Sequence, residues 1–122
     1  LGTHRQHLDL ASERFGAAEQ MYREGREHTA AHLYINAAIN YHNAACQKFL
    51  GKIPSHKEHH DTSYFNELAK FLKDDLPRYR EIYKELVSSK SQADYGLSLS
   101  LDSATRIRRQ AQKLREIIEP LL

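Results

Sequence analysis

The sequence predicts an all-α fold, an antiparallel up-and-down bundle of about five helices that forms one domain over residues 1–122. Three observations predict it. Only 5 Gly and 3 Pro occur in 122 residues, so little of the chain suits turns and the elements must be long. Apolar residues recur at three- and four-residue intervals through most segments, the period that lines one face of a helix. The balance of 40% hydrophobic and 28% charged residues suits a folded chain, and a chain of this length can bury roughly two-thirds of its unfolded surface around one core.

In the first segment Leu8, Ala11, Phe15, Ala18 and Tyr22 make one apolar stripe, and Gly25 marks its end. A second helix is expected from near Thr29 to Leu50, with Gly51 and Pro54 as its stop. Tyr34, Ala38, Tyr41 and Ala45 share one side, and Ile35, Cys46 and Phe49 lie beside them. Leu33, Ala37 and Ala44 widen the surface further. So broad an apolar surface, rich in alanine, predicts a central helix that neighbours approach closely on more than one side.

Residues 51–62 read as a polar, histidine-rich connecting loop. Thr62 or Ser63 is expected to cap a short helix carrying Phe65, Leu68 and Leu72. Pro77 fits the first turn of a fourth helix with Leu76, Tyr79, Tyr83 and Leu86, continuing toward Ala93. Gly96 and the alternating run Leu97 to Leu101 read as an extended connector, because a lone strand has no partner here. Asp102 is then expected as the N-cap of a last helix carrying Ala104, Ile107, Ala111, Leu114, Ile118 and Leu121.

Charge and composition narrow the function. Lys and Arg number 18 against 16 Asp and Glu, a formal charge of +2, so no whole-molecule field points to nucleic acid or an acidic membrane and any basic function must be local. Cys46 is the single cysteine, which excludes an intrachain disulfide and a thiolate zinc cluster and suits a reducing cytoplasm. No run reaches the length of a membrane span and Leu1 to His7 lack a signal-peptide core. The start at Leu1 leaves room for a missing N-terminal segment. No phosphate loop, nucleophile elbow or paired-carboxylate signature is present, so a binding or partner module is expected over a self-contained enzyme, with no cofactor and no metal.

Several constellations are candidates for binding. His32, Asn36, Asn40, Asn43 and Gln47 fall within a narrow sector of the second helix, a polar stripe almost without formal charge. It reads either as that helix's solvent side or as the lining of a groove or subunit seam, where amides both donate and accept. Arg106, Arg109 and Lys113 share one side of the last helix, with Arg108 and Arg115 on the adjoining one, a basic flank suited either to solubility or to RNA or nucleotide phosphates. Tyr95 is a candidate stacking surface beside it and Asp94 a local cap or pair. His56, His59 and His60 with Asp61, and His28 with His32, have ligand chemistry but no metal-site signature. Cys46, among apolar neighbours, reads as a core residue.

Three stretches resemble the HEPN family of small helical bundles: AAHLYINAAINYHNAACQKFL, the loop and helix HKEHHDTSYFNEL, and SQADYG leading into DSATRIRRQAQKLREIIEPLL. The resemblance covers most of the chain. It implies an antiparallel bundle, usually a homodimer, often paired with a minimal nucleotidyltransferase in toxin–antitoxin systems, and it invites Asp94 and Tyr95 as substrate-positioning residues, against the alternative of a local cap or pair and a packed ring. Some members of the family cut RNA with an Arg and a His four to six residues apart near the later helices. This chain has no histidine after His60. Arg23 with His28 and Arg26 with His32 have the spacing, but around the first interhelical turn, so a metal-independent ribonuclease at a dimer seam is the enzyme alternative. A tetratricopeptide-like scaffold, suggested by GREHTAAHLYINAAINY, is a third reading that lacks a second copy of the repeat.

Overall fold

The computed structural model describes residues 3–54, 63–96 and 99–122, with Ser63 and Tyr95 described by backbone only. Six α-helices follow one another: α1 His4–Arg23, α2 Glu27–Leu50, α3 Ser63–Leu72, α4 Leu76–Ser88, α5 Lys90–Tyr95 and α6 Leu101–Ile118. Single 3₁₀ turns, Lys73–Asp75 and Glu119–Leu121, precede α4 and close α6. No strand occurs among the described residues, so the fold is an all-α bundle. No helix among them is long and apolar enough to cross a membrane.

Sequence explains most boundaries. Thr3 and Gln6 form a capping box that satisfies two free donors at the start of α1. Gly51 ends α2 in the left-handed conformation, at φ 70°, where a side chain would be strained. Pro77 sits in the first turn of α4, where its missing N–H costs nothing. Two boundaries differ from the sequence reading. The N-cap of α6 is Ser100, not Asp102: the Ser100 hydroxyl accepts from the Ser103 N–H, and Asp102 falls in the first turn, where its charge favours the helix dipole. The fourth helix does not run unbroken to Ala93. Ser88 and Ser89 both return side-chain hydrogen bonds to the Glu85 carbonyl, and α5 restarts at Lys90.

Four rods alternate in direction. Arg14 meets Asn40 and Glu19 meets Tyr34, so α1 runs against α2. Asn36 meets Lys90 and His32 meets Asp94, so the α4–α5 rod runs against α2 as well. Tyr34 meets Arg108 and Tyr41 meets Glu119, so α6 runs alongside α2. The short α3 sits at the C-terminal end of α2, where Phe71 stacks on Phe49 at 4.1 Å between ring centres and Lys52 meets Glu67.

Helix α2 is the centre of the bundle, as its alanines predict. Ala30, Ala31, Ala37, Ala38, Ala44 and Ala45 are all buried, which lets α1 pack closely along its length. Large side chains fill the rest: Phe15 meets Tyr34 and Tyr41 edge-on, at 5.5 and 6.5 Å between centroids. On the other side His42 lies inside an aromatic box of Phe65, Tyr79 and Tyr83. Its Nδ1 meets the Tyr79 hydroxyl at 2.7 Å and its Nε2 lies 3.6 Å from Cys46 Sγ. Cys46 is fully covered, and burial pushes its thiol up to about 12, which is the chemistry of a core residue and not of a nucleophile.

A polar strut ties α1, α2 and α6 together. Arg108 donates through Nε and Nη2 to the two Glu19 oxygens, each at 3.2 Å, while the Tyr34 hydroxyl donates to the same carboxylate. Burial works against the Glu19 charge, but the hydrogen bonds from Arg108 and Tyr34 outweigh it and hold the carboxyl below its usual value. Nearer the end of α6, Glu119 accepts from Tyr41 and from Arg115, whose guanidinium lies 4.7 Å from the Phe15 ring centre. Arg108 and Arg115, read from sequence as part of a basic flank, are therefore structural cations turned to acids of their own chain.

Candidate functional site

The polar stripe of α2 divides along its length. Asn40 is buried, and Arg14 from α1 donates to its Oδ1 at 2.8 Å, so this amide is spent on helix packing and is withdrawn from solvent. Asn43 is buried too, its Oδ1 without a hydrogen-bond partner among the described residues, and Gln47 is half-buried. The upper part of the stripe remains at the surface, and α5 is laid against it.

There His32 and Asn36 meet Asp94 and Lys90. Asp94 accepts from His32 Nδ1 through one oxygen and from Lys90 Nζ through the other. Lys90 also reaches Asn36 Oδ1 at 3.4 Å, and Asn36 Nδ2 donates to the His32 carbonyl at 2.8 Å. One turn earlier His28 Nε2 donates to the Ala93 carbonyl at 2.8 Å. Helix α5 has six residues, too few to hold by propensity alone, and these contacts with the buried methyl of Ala93 fix it against α2. Burial opposes the Asp94 charge, but the hydrogen bonds from Lys90 and His32 more than compensate, so its carboxyl lies below the ordinary range.

What this edge can do follows from who is already paired. An ionised carboxylate only accepts, so Nδ1 of His32 carries a proton toward Asp94 and Nε2 is the ring nitrogen turned away from that pair. The His32 side chain is 47% exposed while Asp94 is 10% exposed, so the imidazole is the face shown to a ligand and the carboxylate is its support. Lys90 and Asp94 neutralise each other. The edge can therefore be covered by another surface without stranding a charge.

The remaining candidates separate clearly. Arg106, Arg109 and Lys113 share one exposed side of α6, and Arg106 is paired with Glu85 of α4. The Arg106 and Gln110 hydrogen bonds hold Glu85 below the usual carboxyl value. Arg109 and Lys113 line a furrow of about 570 Å³ with Asp102, Thr105 and Gln110. The side chain of Tyr95, and His56, His59, His60 and Asp61, lie outside the described residues. The Arg and His pairs with ribonuclease spacing are not joined by their recorded contacts: Arg23 bonds Gln20, Arg26 lies 3.9 Å from Glu24, and both histidines turn to α5. No group of metal-ligating side chains occurs among the described residues.

Lys90 is the member of this edge that the sequence reading had not placed in a site. A signal existed, since Lys90 and Asp94 are i,i+4 on a helix and such pairs meet. The link from Asp94 to His32 spans 62 residues and had no local signal. Comparison with protein-family models, with curated proteins and with solved structures finds no match to this chain.

Proposed function

We propose that this chain is a HEPN-like binding module that docks protein through the α2–α5 edge, with a second copy of itself as the first occupant. The resemblance of the Ala-rich α2 and of SQADYG adds a minimal nucleotidyltransferase as the further partner and toxin–antitoxin biology as the setting. One observation carries the docking reading. The His32, Asn36, Lys90 and Asp94 groups are bonded to one another while His32 stays exposed, so the edge offers an oriented imidazole beside an ion pair that is already matched. Catalysis is no part of this reading: the imidazole has a carboxylate behind it, but among the described residues no arginine is hydrogen-bonded to it to meet a developing charge.

Sedimentation equilibrium tests the proposal. The wild-type chain is expected at twice its 14.2 kDa mass, and His32→Ala with Asn36→Ala at least tenfold weaker in association, the loss expected of central interface residues. Circular dichroism establishes that helicity is retained. A wild type that stays a single chain at all concentrations, or a double variant that associates equally well, removes the reading.

A further inference from the structure

The second polar surface of the bundle has the opposite electrostatic character to the α2–α5 edge. From Ser103 to Arg115 the sequence of α6 carries five basic residues and no acid. Arg108 and Arg115 turn inward to Glu19 and Glu119, and Arg106 is held by Glu85. Arg109 and Lys113 are left exposed with no carboxylate within ion-pair distance among the described residues, and so are Arg80 and Lys84 on the neighbouring α4. An unpaired cation is poorly suited to burial against protein, because its hydration is lost without return. It suits a phosphate, which brings its own charge.

The shape of this face selects among anions. The α4 row and the α6 row flank connected furrows. One of about 670 Å³ runs along Arg80, Glu81, Lys84 and Glu85, and the one of about 570 Å³ runs along Arg106, Arg109 and Lys113. Between them a smaller depression of about 190 Å³ is floored by Leu86 and Ile107 and edged by Glu85, Ser103 and Gln110. Arg106 to Lys113 spans about 10 Å at the helical rise, a few phosphates of an extended strand. The acceptors between the cation rows, Glu85 and the Gln110 amide oxygen, complement the exocyclic amines of bases. The face carries no anchor for a bilayer: the exposed large apolar side chains among the described residues are Leu10 on α1 and Leu101 at the start of α6.

We infer that the α4–α6 face binds single-stranded nucleic acid, with Arg80, Lys84, Arg109 and Lys113 on its phosphates and the central depression taking base edges. Both described tyrosines of α4, Tyr79 and Tyr83, are buried, so they offer bases no stacking face and affinity rests on charge. The surface is separate from the α2–α5 edge, and its failure leaves the docking proposal intact.

Fluorescence anisotropy with labelled oligocytidylate and oligodeoxycytidylate of ~12 nucleotides, a length within the range of small single-strand sites, tests the inference. Four phosphate contacts predict a slope of log K against log salt of about −2.8, or about fiftyfold weaker binding from 50 to 200 mM salt. Arg109→Ala with Lys113→Ala should halve that slope. Arg5→Ala with Lys52→Ala, the same charge change on α1 and the turn after α2, should leave it unchanged. Equal binding of the two oligonucleotides assigns recognition to the shared backbone, and preference for the ribo-oligomer adds the 2′-hydroxyl; both uphold the face as a nucleic-acid site. The inference is overturned if neither oligonucleotide binds, if both double variants weaken binding equally, or if polyglutamate displaces the strand as effectively as unlabelled strand does. Capture by phosphatidylserine vesicles without oligonucleotide binding overturns it as well.

Discussion

Tyr79 and Tyr83 stand one turn apart on α4 and face the same histidine, yet removing their hydroxyls should have opposite effects. The Tyr83 ring packs 4.2 Å from His42 between centroids, but its buried hydroxyl has no hydrogen-bond partner among the described residues. Leaving a hydroxyl dry and unpaired costs about 1–3 kcal/mol, so Tyr83→Phe keeps the packing, removes that penalty and should stabilise the fold by about 1 kcal/mol. The Tyr79 hydroxyl meets His42 Nδ1 at 2.7 Å, so Tyr79→Phe removes a buried hydrogen bond and should destabilise by about 1–3 kcal/mol. For a chain of this length 1 kcal/mol corresponds to roughly 4 °C in Tm. Urea unfolding followed by circular dichroism, with Tm from thermal melts, reads both variants against wild type. Destabilisation of Tyr83→Phe by more than about 1 kcal/mol would show that the hydroxyl is paired and would refute this account of the aromatic box.

Further expectations concern ionisation and backbone strain. Lys73 holds a positive φ of 52° between α3 and α4, so Lys73→Gly should stabilise by about 0.5–1 kcal/mol in the same melts, whereas Lys73→Val should destabilise. Cys46 should resist a thiol reagent in the native protein at pH 8 and react only on unfolding; because burial raises its folded pKa to about 12 from 9.0, its contribution is complete below pH 9 and is lost as pH rises from there. Asp94, Glu19 and Glu85 have lowered pKa values, so their stabilisation is present above the ordinary carboxyl range and lost as pH falls through the depressed values. Asp94→Asn should flatten part of that acid limb in urea midpoints measured below about pH 4.5. An acid limb identical to wild type would mean that the pairing with Lys90 and His32 adds nothing.

The helices and the core were largely legible in the sequence, because three- and four-residue spacing and helical packing are the same fact seen twice. Ala11, Phe15 and Ala18 were read as one stripe and form the buried face of α1. The breadth of apolar surface on α2 announced a helix with neighbours on several sides, and fourteen of its residues are buried. Caps were less legible. Ser100 and Asp102 are both good N-caps, and the choice between them depends on where the connector arrives, which no local pattern records.

The candidate site was half legible. A helical wheel placed His32, Asn36, Asn40, Asn43 and Gln47 in one sector, but a wheel discards position along the axis. That stripe is about 22 Å long at 1.5 Å per residue, enough for α1 to cover Asn40 while α5 meets Asn36 and His32. The basic flank was legible only in part, for a related reason. Five cations on α6 look alike in sequence, yet acids on α1, on α4 and at the end of α6 itself claim Arg108, Arg106 and Arg115, and only the packed bundle tells the claimed from the free.

Hydrogen exchange of the α5 backbone as a function of protein concentration addresses the docking edge most directly. Helix α5 is short and held by a few side-chain contacts, so its amides open easily in the free chain and report any surface laid over them. The account predicts that protection of residues 90–95 rises as association proceeds, and that the rise disappears with His32→Ala and Asn36→Ala. Concentration-dependent protection that instead falls on the α1 side of α6, with α5 unchanged, would contradict it.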